Sequence, residues 1–253
     1  MIEVVILGTG NVAFHLFNAF SEAENIRVNQ VYNHRQESLK YFSSFTDTTT
    51  NISELKPAHF YLLVLKDDII PEIAEQLRSY DGIFVHTSGA VGLNALDSIT
   101  NFGVFYPLQT FSKNKAVDFA KIPVCIEANT AENLEKIRSL ASAITKDVRE
   151  IDSEQRKALH VAAVFVNNFS NHLYSIGAEI CTENNIDFSI LKPLIAETAS
   201  KIESLNPLEA QTGPAVRNDQ KTIETHLAFL SKKHKDIYSL LTQSIQDLHG
   251  KKL

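Results

Sequence analysis

Gly8-Thr9-Gly10-Asn11-Val12-Ala13 follows the apolar run Glu3–Leu7 directly and opens a stretch in which Val12, Leu16 and Phe20 recur on one side of a helix. A strand turning through glycines into a helix is a way to hold phosphate. Gly8 permits the tight turn, Gly10 lets the backbone approach a pyrophosphate, and Ala13 keeps the helix close to the sheet. The N–H groups of the loop and of the helix start bring partial positive charge to the anion. Further on, at the end of a second strand, a site that prefers NAD places an Asp or Glu on the ribose 2′-hydroxyl. Here the segment is Val31-Tyr-Asn33-His34-Arg35, without a carboxylate. Arg35 suits bidentate pairing with a 2′-phosphate and Asn33 suits an amide hydrogen bond, so the expected cofactor is NADP. Leu65-Lys66, at another strand end, is a candidate to border the adenosine ribose, although a helix start is the plainer account of Asp67 and Asp68 beside it.

A second set of residues suits proton transfer. On an ideal helix Lys157, His160, Val164, Asn168 and Asn171 share one sector, opposite an apolar seam of Leu159, Ala162, Val166, Phe169, Leu173, Ile176 and Ile180. With an ordinary pKa of about 6.5, His160 can give or take a proton near neutrality. Asn168 is placed to orient a substrate. A backbone-bonded core histidine is the other reading of His160. His86-Thr-Ser88-Gly89 ends a strand, where open parallel sheets bind ligands. Ser88 can hydrogen-bond a substrate oxygen and Gly89 leaves room for a nicotinamide; a turn with a helix cap is the plainer account. Gln109 and Thr110 are expected on the nicotinamide side. In Thr212-Gly-Pro-Ala-Val-Arg217-Asn-Asp219, Arg217 suits a substrate carboxylate, or it pairs with Asp219, which suits a helix cap.

These residues need a frame. Strands are expected at Glu3–Leu7, Val28–Tyr32, Phe60–Leu65, Gly82–His86, Gly103–Tyr106, Pro123–Glu127 and Asp147–Ile151, with helices Asn11–Ser21, Ile69–Arg78 and Ala131–Ile144 between several of them. That alternation predicts an α/β fold with a mostly parallel sheet. After Asp152 only helical periodicity remains: a long helix from near Ser153 to Thr182, then Phe188–Leu205, Asp219–Ser231 and Lys233–Leu248. The expected domains are 1–152 and 153–253. A net charge of −6 and the lack of a basic stripe argue against nucleic acid. No apolar run approaches the ~20 residues needed to cross a bilayer, so no membrane association is expected. Two separated cysteines, Cys125 and Cys181, fit a reducing, cytoplasmic setting, and no metal motif is present.

The opening fingerprint, Asn33-His34-Arg35, VHTSGAVGLNAL at 85–96, FYPLQTFSK at 105–113 and TGPAVRND at 212–219 together resemble a bacterial family of NADP oxidoreductases. That family joins a Rossmann-like NADP-binding domain to a C-terminal helical domain of unknown function, and the resemblance covers essentially the whole chain. More distantly, the chain is similar to pyrroline-5-carboxylate reductase, β-hydroxyacid dehydrogenase, phosphogluconate dehydrogenase and prephenate dehydrogenase. The resemblance implies an all-α C-terminal domain of the phosphogluconate dehydrogenase type, which supplies substrate contacts and usually a dimer interface. In the β-hydroxyacid dehydrogenases a lysine on the long helix precedes paired asparagines. Here the pair is Asn167-Asn168, but the lysine position holds Val164. His160, one turn earlier, is the substitute, and prephenate dehydrogenases similarly place a histidine early in this helix. The Ser-Gly segment of the β-hydroxyacid dehydrogenases likewise supports Ser88 and Gly89.

The leading expectation is therefore an NADP-dependent dehydrogenase or reductase, a homodimer through its helical domain, acting on a small, anionic carbonyl, hydroxy or imine compound. Two other readings stay open. A non-catalytic NADP-binding sensor or scaffold would explain Val164, and hydride transfer between NADP and a flavin or deazaflavin occurs in similar Gly-Thr-Gly-Asn proteins.

Overall fold

Residues 1–250 are described in the computed structural model, and the chain divides into two compact units, Met1–Asn167 and Asn168–Leu253. The first unit is built on one sheet of eight strands: β1 (Ile2–Leu7), β2 (Ile26–Tyr32), β3 (Asp47–Thr49), β4 (Phe60–Leu63), β5 (Ile83–His86), β6 (Phe102–Pro107), β7 (Val124–Ala128) and β8 (Val148–Glu150). Their order is β3-β2-β1-β4-β5-β6-β7-β8. All neighbours run parallel except β6 and β7. This is the expected α/β Rossmann-type fold. The strand order reverses between β1 and β4, so the loops after these two strands diverge and leave a crevice above their carboxyl ends.

The sheet is covered on both faces because its strands are apolar on both. In β1, Val4 and Ile6 join Ala13, Leu16 and Phe20 of α1 (Asn11–Glu22) and Ile137 and Leu140 of α3 (Ala131–Ser142). Val5 and Leu7 point the other way, toward Ile70, Ala74 and Leu77 of α2 (Ile70–Leu77). That is the two-residue period of a strand, and each fully buried aliphatic side chain contributes about 1.5–3 kcal/mol. Strand β3 was not expected. Its three residues, Asp47-Thr-Thr, carry no apolar alternation, and only pairing beside β2 makes them a strand.

The long helix begins as expected, but its cap is Asp152, in a reciprocal capping box with Gln155. It runs as α4 (Ser153–Ala163), passes through a π-helical stretch, Val164–Phe169, and continues as α5 (Ser170–Glu183). A π turn bonds i to i+5, so each residue sweeps less than the α-helical 100°. The shared sector expected for Lys157 through Asn171 on an ideal helix therefore does not hold across these six residues. The expected division at 152/153 falls at the start of α4, whereas the compact first unit extends through Asn167 and takes α4 with it.

The second unit continues with α6 (Lys192–Lys201), the short α7 (Pro207–Ala210), α8 (Gln220–Phe229) and α9 (Lys232–His249). Asp219 caps α8, accepting from the backbone N–H and the hydroxyl of Thr222 at 3.2 and 2.7 Å. His226 and Tyr238 join α8 to α9 at 2.8 Å, and Lys233 of α9 pairs with Glu179 of α5 at 2.6 Å. Its described buried residues are few: Cys181, Ala215, Ile223 and His234.

Candidate active site

Strand β1 ends against Gly8, whose φ of +125° is open to glycine and strained for other residues. A Cβ there would lie 2.1 Å from the Val64 carbonyl oxygen, so the turn passes against the end of β4 with no space for a side chain. Gly10 is the N-cap of α1 and offers no side-chain acceptor; the first turn holds no acidic residue, and a Cβ at Gly10 would meet nothing within 4 Å. The N–H groups of Asn11, Val12 and Ala13 thus start a 12-residue helix with their positive end open. These are the features a dinucleotide diphosphate requires, at the crevice where β1 and β4 part.

The end of β2 is tied to this turn. The Asn33 amide donates to Thr9 Oγ1 at 2.8 Å, and Asn33 Oδ1 accepts the Arg35 N–H at 2.9 Å. Asn33 therefore braces the phosphate turn, while His34 and Arg35 stay exposed and free to meet a ribose phosphate. Leu65 and Lys66 lie just beyond β4, with Lys66 exposed. Asn11 donates to the Phe111 carbonyl and His15 Nε2–H to the Ser112 carbonyl, both at 2.9 Å. These two bonds lay the segment that follows Gln109 and Thr110 along the first turns of α1.

A second cluster forms at the carboxyl ends of β5 and β6. His86 is fully buried, accepts the Ser88 N–H on Nδ1 at 3.2 Å, and has its pKa lowered to about 3, first by burial and then by the Arg156 charge. It is a neutral structural group. Ser88 Oγ accepts the N–H groups of Ala90 and Val91, each at 3.1 Å, so it holds the turn and keeps only its proton to offer. His160 Nδ1 lies 3.1 Å from the Tyr106 hydroxyl, the rings 6.1 Å apart at 70°. Gly89 lies against both: a Cβ there would stand 2.6 Å from His160 Nδ1 and 2.8 Å from Tyr106 Cζ.

The position of α4 is set by Arg156, 1% exposed. Its guanidinium donates to Glu127 of β7 at 2.5 Å and to the Val91 carbonyl at 2.6 Å. Ser153 adds a donation to Glu127 at 2.8 Å and accepts the Leu93 N–H at 2.9 Å. One network thus holds the 88–93 loop, β7 and the helix bearing His160 in register. Tyr106, Arg156 and Glu127 were not anticipated. The carboxyl-end position of Tyr106 in FYPLQTFSK was the available signal, whereas a lone arginine and a lone glutamate read as surface charges.

Ser88, Gly89 and His160 come together in the first unit. Asn167 and Asn168 sit in the π-helical stretch, both exposed, with the boundary between the compact units passing between them. Arg217 is exposed in the second unit, and its charge helps hold the Asp219 carboxyl below its usual range after the larger effect of the Thr222 hydrogen bonds. Among the described residues no three His, Cys, Asp or Glu side chains are disposed to hold a metal, and no helix is long and apolar enough to cross a membrane. A depression of 640 Å³ at the amino ends of β4 and β5, and another of 560 Å³ between α1 and residues 113–120, are lined by none of the expected site residues.

Residues 122–245 match the family described as a domain of unknown function, DUF2520. No curated protein matches the chain. Among solved structures, the chain is similar to a "putative NADP oxidoreductase" from Bacteroides fragilis, with 38% identity, a TM-score of 0.91, and coverage of 97% of this chain and 98% of that one. A Thermotoga maritima protein shares 18% identity at a TM-score of 0.74, with 98% of each chain covered. A 1-pyrroline-5-carboxylate reductase from Streptococcus pyogenes shares 11% at 0.65, covering 97% and 98%. The latter two likenesses show the fold alone. With 38% of its residues in common with the Bacteroides protein over nearly the whole of both chains, the chain belongs to that family of NADP oxidoreductases.

Proposed function

We propose that the protein is an NADP-dependent dehydrogenase or reductase of a small, anionic carbonyl, hydroxy or imine compound, with His160 as its proton carrier. The observation that carries this reading is the placement of two sites on one sheet edge: the glycine turn after β1, and the Gly89–Tyr106–His160 cluster after β5 and β6. Backbone amides of residues 9–13 would hold the diphosphate, since the Gly8 N–H is taken by the Tyr32 carbonyl at 2.9 Å; Arg35 and His34 would hold the 2′-phosphate, and Leu65 and Lys66 the adenosine side. When bound, NADP supplies hydride exchange. The chain itself must hold the substrate and manage one proton. His160 gives or takes that proton at the substrate oxygen or nitrogen, and the Ser88 hydroxyl orients the same atom. Val164 removes the lysine of the β-hydroxyacid dehydrogenases, and His160 replaces it from one turn earlier. Within the same unit, Asn167 is the polar candidate for holding a substrate carboxylate.

The test is turnover of NADPH with a panel of 2-keto acids and cyclic imines. We expect His160→Gln to lower kcat about 100-fold or more, as loss of a general acid does, with NADPH affinity unchanged. Tight NADPH binding without turnover of any panel member would favour a sensor or scaffold instead. We further assign the protein to the cytoplasm, where its two free, buried cysteines remain thiols, and to a homodimer, argued below.

A further inference from the structure

We propose that Tyr106 is a positioning residue that sets the tautomer of His160, accepting its Nδ1–H and so making Nε2 the nitrogen that exchanges a proton with substrate. This rests on the reading of His160 as proton carrier. The Tyr106 hydroxyl stands 3.1 Å from Nδ1, both side chains being half-buried. Gly89 closes the same edge of the ring, since a Cβ there would come within 2.6 Å of Nδ1 and 2.9 Å of Cγ. Substrate has no room at Nδ1. The nitrogen left is Nε2, since the ring's hydrogen bond among the described residues is the one made by Nδ1.

The proton count favours the Nδ1–H form. In the oxidative direction Nε2 must be bare to accept a proton from a substrate hydroxyl or amine while the substrate carbon gives up its hydride. In the reductive direction the imidazolium gives its Nε2 proton to the substrate oxygen or nitrogen and returns to the same neutral tautomer. Nδ1 keeps its proton throughout, so it needs a permanent acceptor, and the phenol oxygen is one. No net proton passes through Tyr106. Burial raises the Tyr106 pKa, so the group stays a phenol across the working range. Of the neighbouring groups, Arg156 of α4 pairs with Glu127 of β7, His86 of β5 is held neutral, and burial raises the thiol pKa of Cys125, the β7 residue paired with Tyr106.

The experiment is ¹⁵N-resolved NMR of the His160 imidazole in the full chain, wild type and Tyr106→Phe, across its titration. Phenylalanine keeps the ring packing, and NADPH affinity within about twofold of wild type serves as the folding control. We expect neutral His160 to be the Nδ1–H tautomer in wild type and to revert in Tyr106→Phe to the Nε2–H form that free histidine favours. An Nε2–H tautomer in wild type, or no change in the variant, overturns the proposal. Activity of His160→Gln separates the two claims. If that variant turns over the keto acid and imine panel normally, the reading of His160 has failed and this proposal with it. If it is impaired while the tautomer ignores Tyr106→Phe, only the role of Tyr106 has failed.

Discussion

Two single residues make claims that can be measured directly. Arg35 is exposed at the end of β2 with its backbone N–H fixed by Asn33, so its guanidinium is the group free to meet a 2′-phosphate. Charge-assisted hydrogen bonds of this kind are worth about 1.5–3 kcal/mol, which is roughly 10- to 100-fold in affinity. We expect Arg35→Ala to raise the Kd for NADPH by that factor in a fluorescence titration and to leave the Kd for NADH within about threefold. Equal losses for both cofactors would refute the assignment. His86 makes the second claim. Its pKa falls from 6.5 to about 3 on folding, so between these values the unfolded chain binds a proton that the native state excludes. The shift therefore has no effect on stability above pH 6.5 and destabilises the fold progressively as pH falls toward about 3. His86→Asn retains an acceptor for the Ser88 N–H and does not titrate. Its urea midpoint should fall less steeply than that of wild type between pH 6.5 and 4, and parallel curves would remove this role.

Among the elements, α4 is held to the sheet by charge as well as by apolar packing. The Arg156–Glu127 pair joins a side chain 1% exposed to one 16% exposed, and the Val91 carbonyl and Ser153 complete the network. Removing one partner of a buried pair strands the other, at about 3–5 kcal/mol, whereas replacing both by apolar residues is close to neutral. Arg156→Ala should lose stability of that size in urea denaturation, and Arg156→Met with Glu127→Leu should recover most of it. The double variant should still show impaired turnover, because the 88–93 loop loses its tether to the helix that carries His160. Equal instability of the single and double variants would mean that the pair contributes through packing alone.

For the molecule as a whole, the distribution of apolar surface argues for self-association. Ile190 is 69% exposed, Leu194 62% and Leu240 71%, in a second unit whose described buried apolar side chains are few. Large apolar side chains left in water favour association that covers them. We expect sedimentation at twice the 28.3 kDa of one chain at micromolar concentration. Leu194→Glu combined with Leu240→Glu should shift the protein to monomer without altering NADPH binding to the first unit. A wild-type monomer under those conditions would end the dimer proposal.

The sequence alone determines whatever short-range chemistry dictates. Glycines at 8 and 10 between an apolar strand and an amphipathic run have few uses, and most of the strands announced themselves by apolar runs ended by turn residues. The cofactor followed from one local fact, the lack of a carboxylate at Asn33. Tertiary structure decided the rest, because it depends on neighbours distant in the chain. β3 is a strand only because β2 offers it a ladder, and Arg156 is a core residue only because Glu127, 29 positions earlier, is delivered beside it. Tyr106 and Gly89 meet His160 through the order in which β5 and β6 pair, and no periodicity in the residues encodes that meeting. The π-helical stretch belongs here too: hydrogen-bond spacing sets a helix's phase, and apolar repeats alone do not distinguish i+4 from i+5 bonding over six residues.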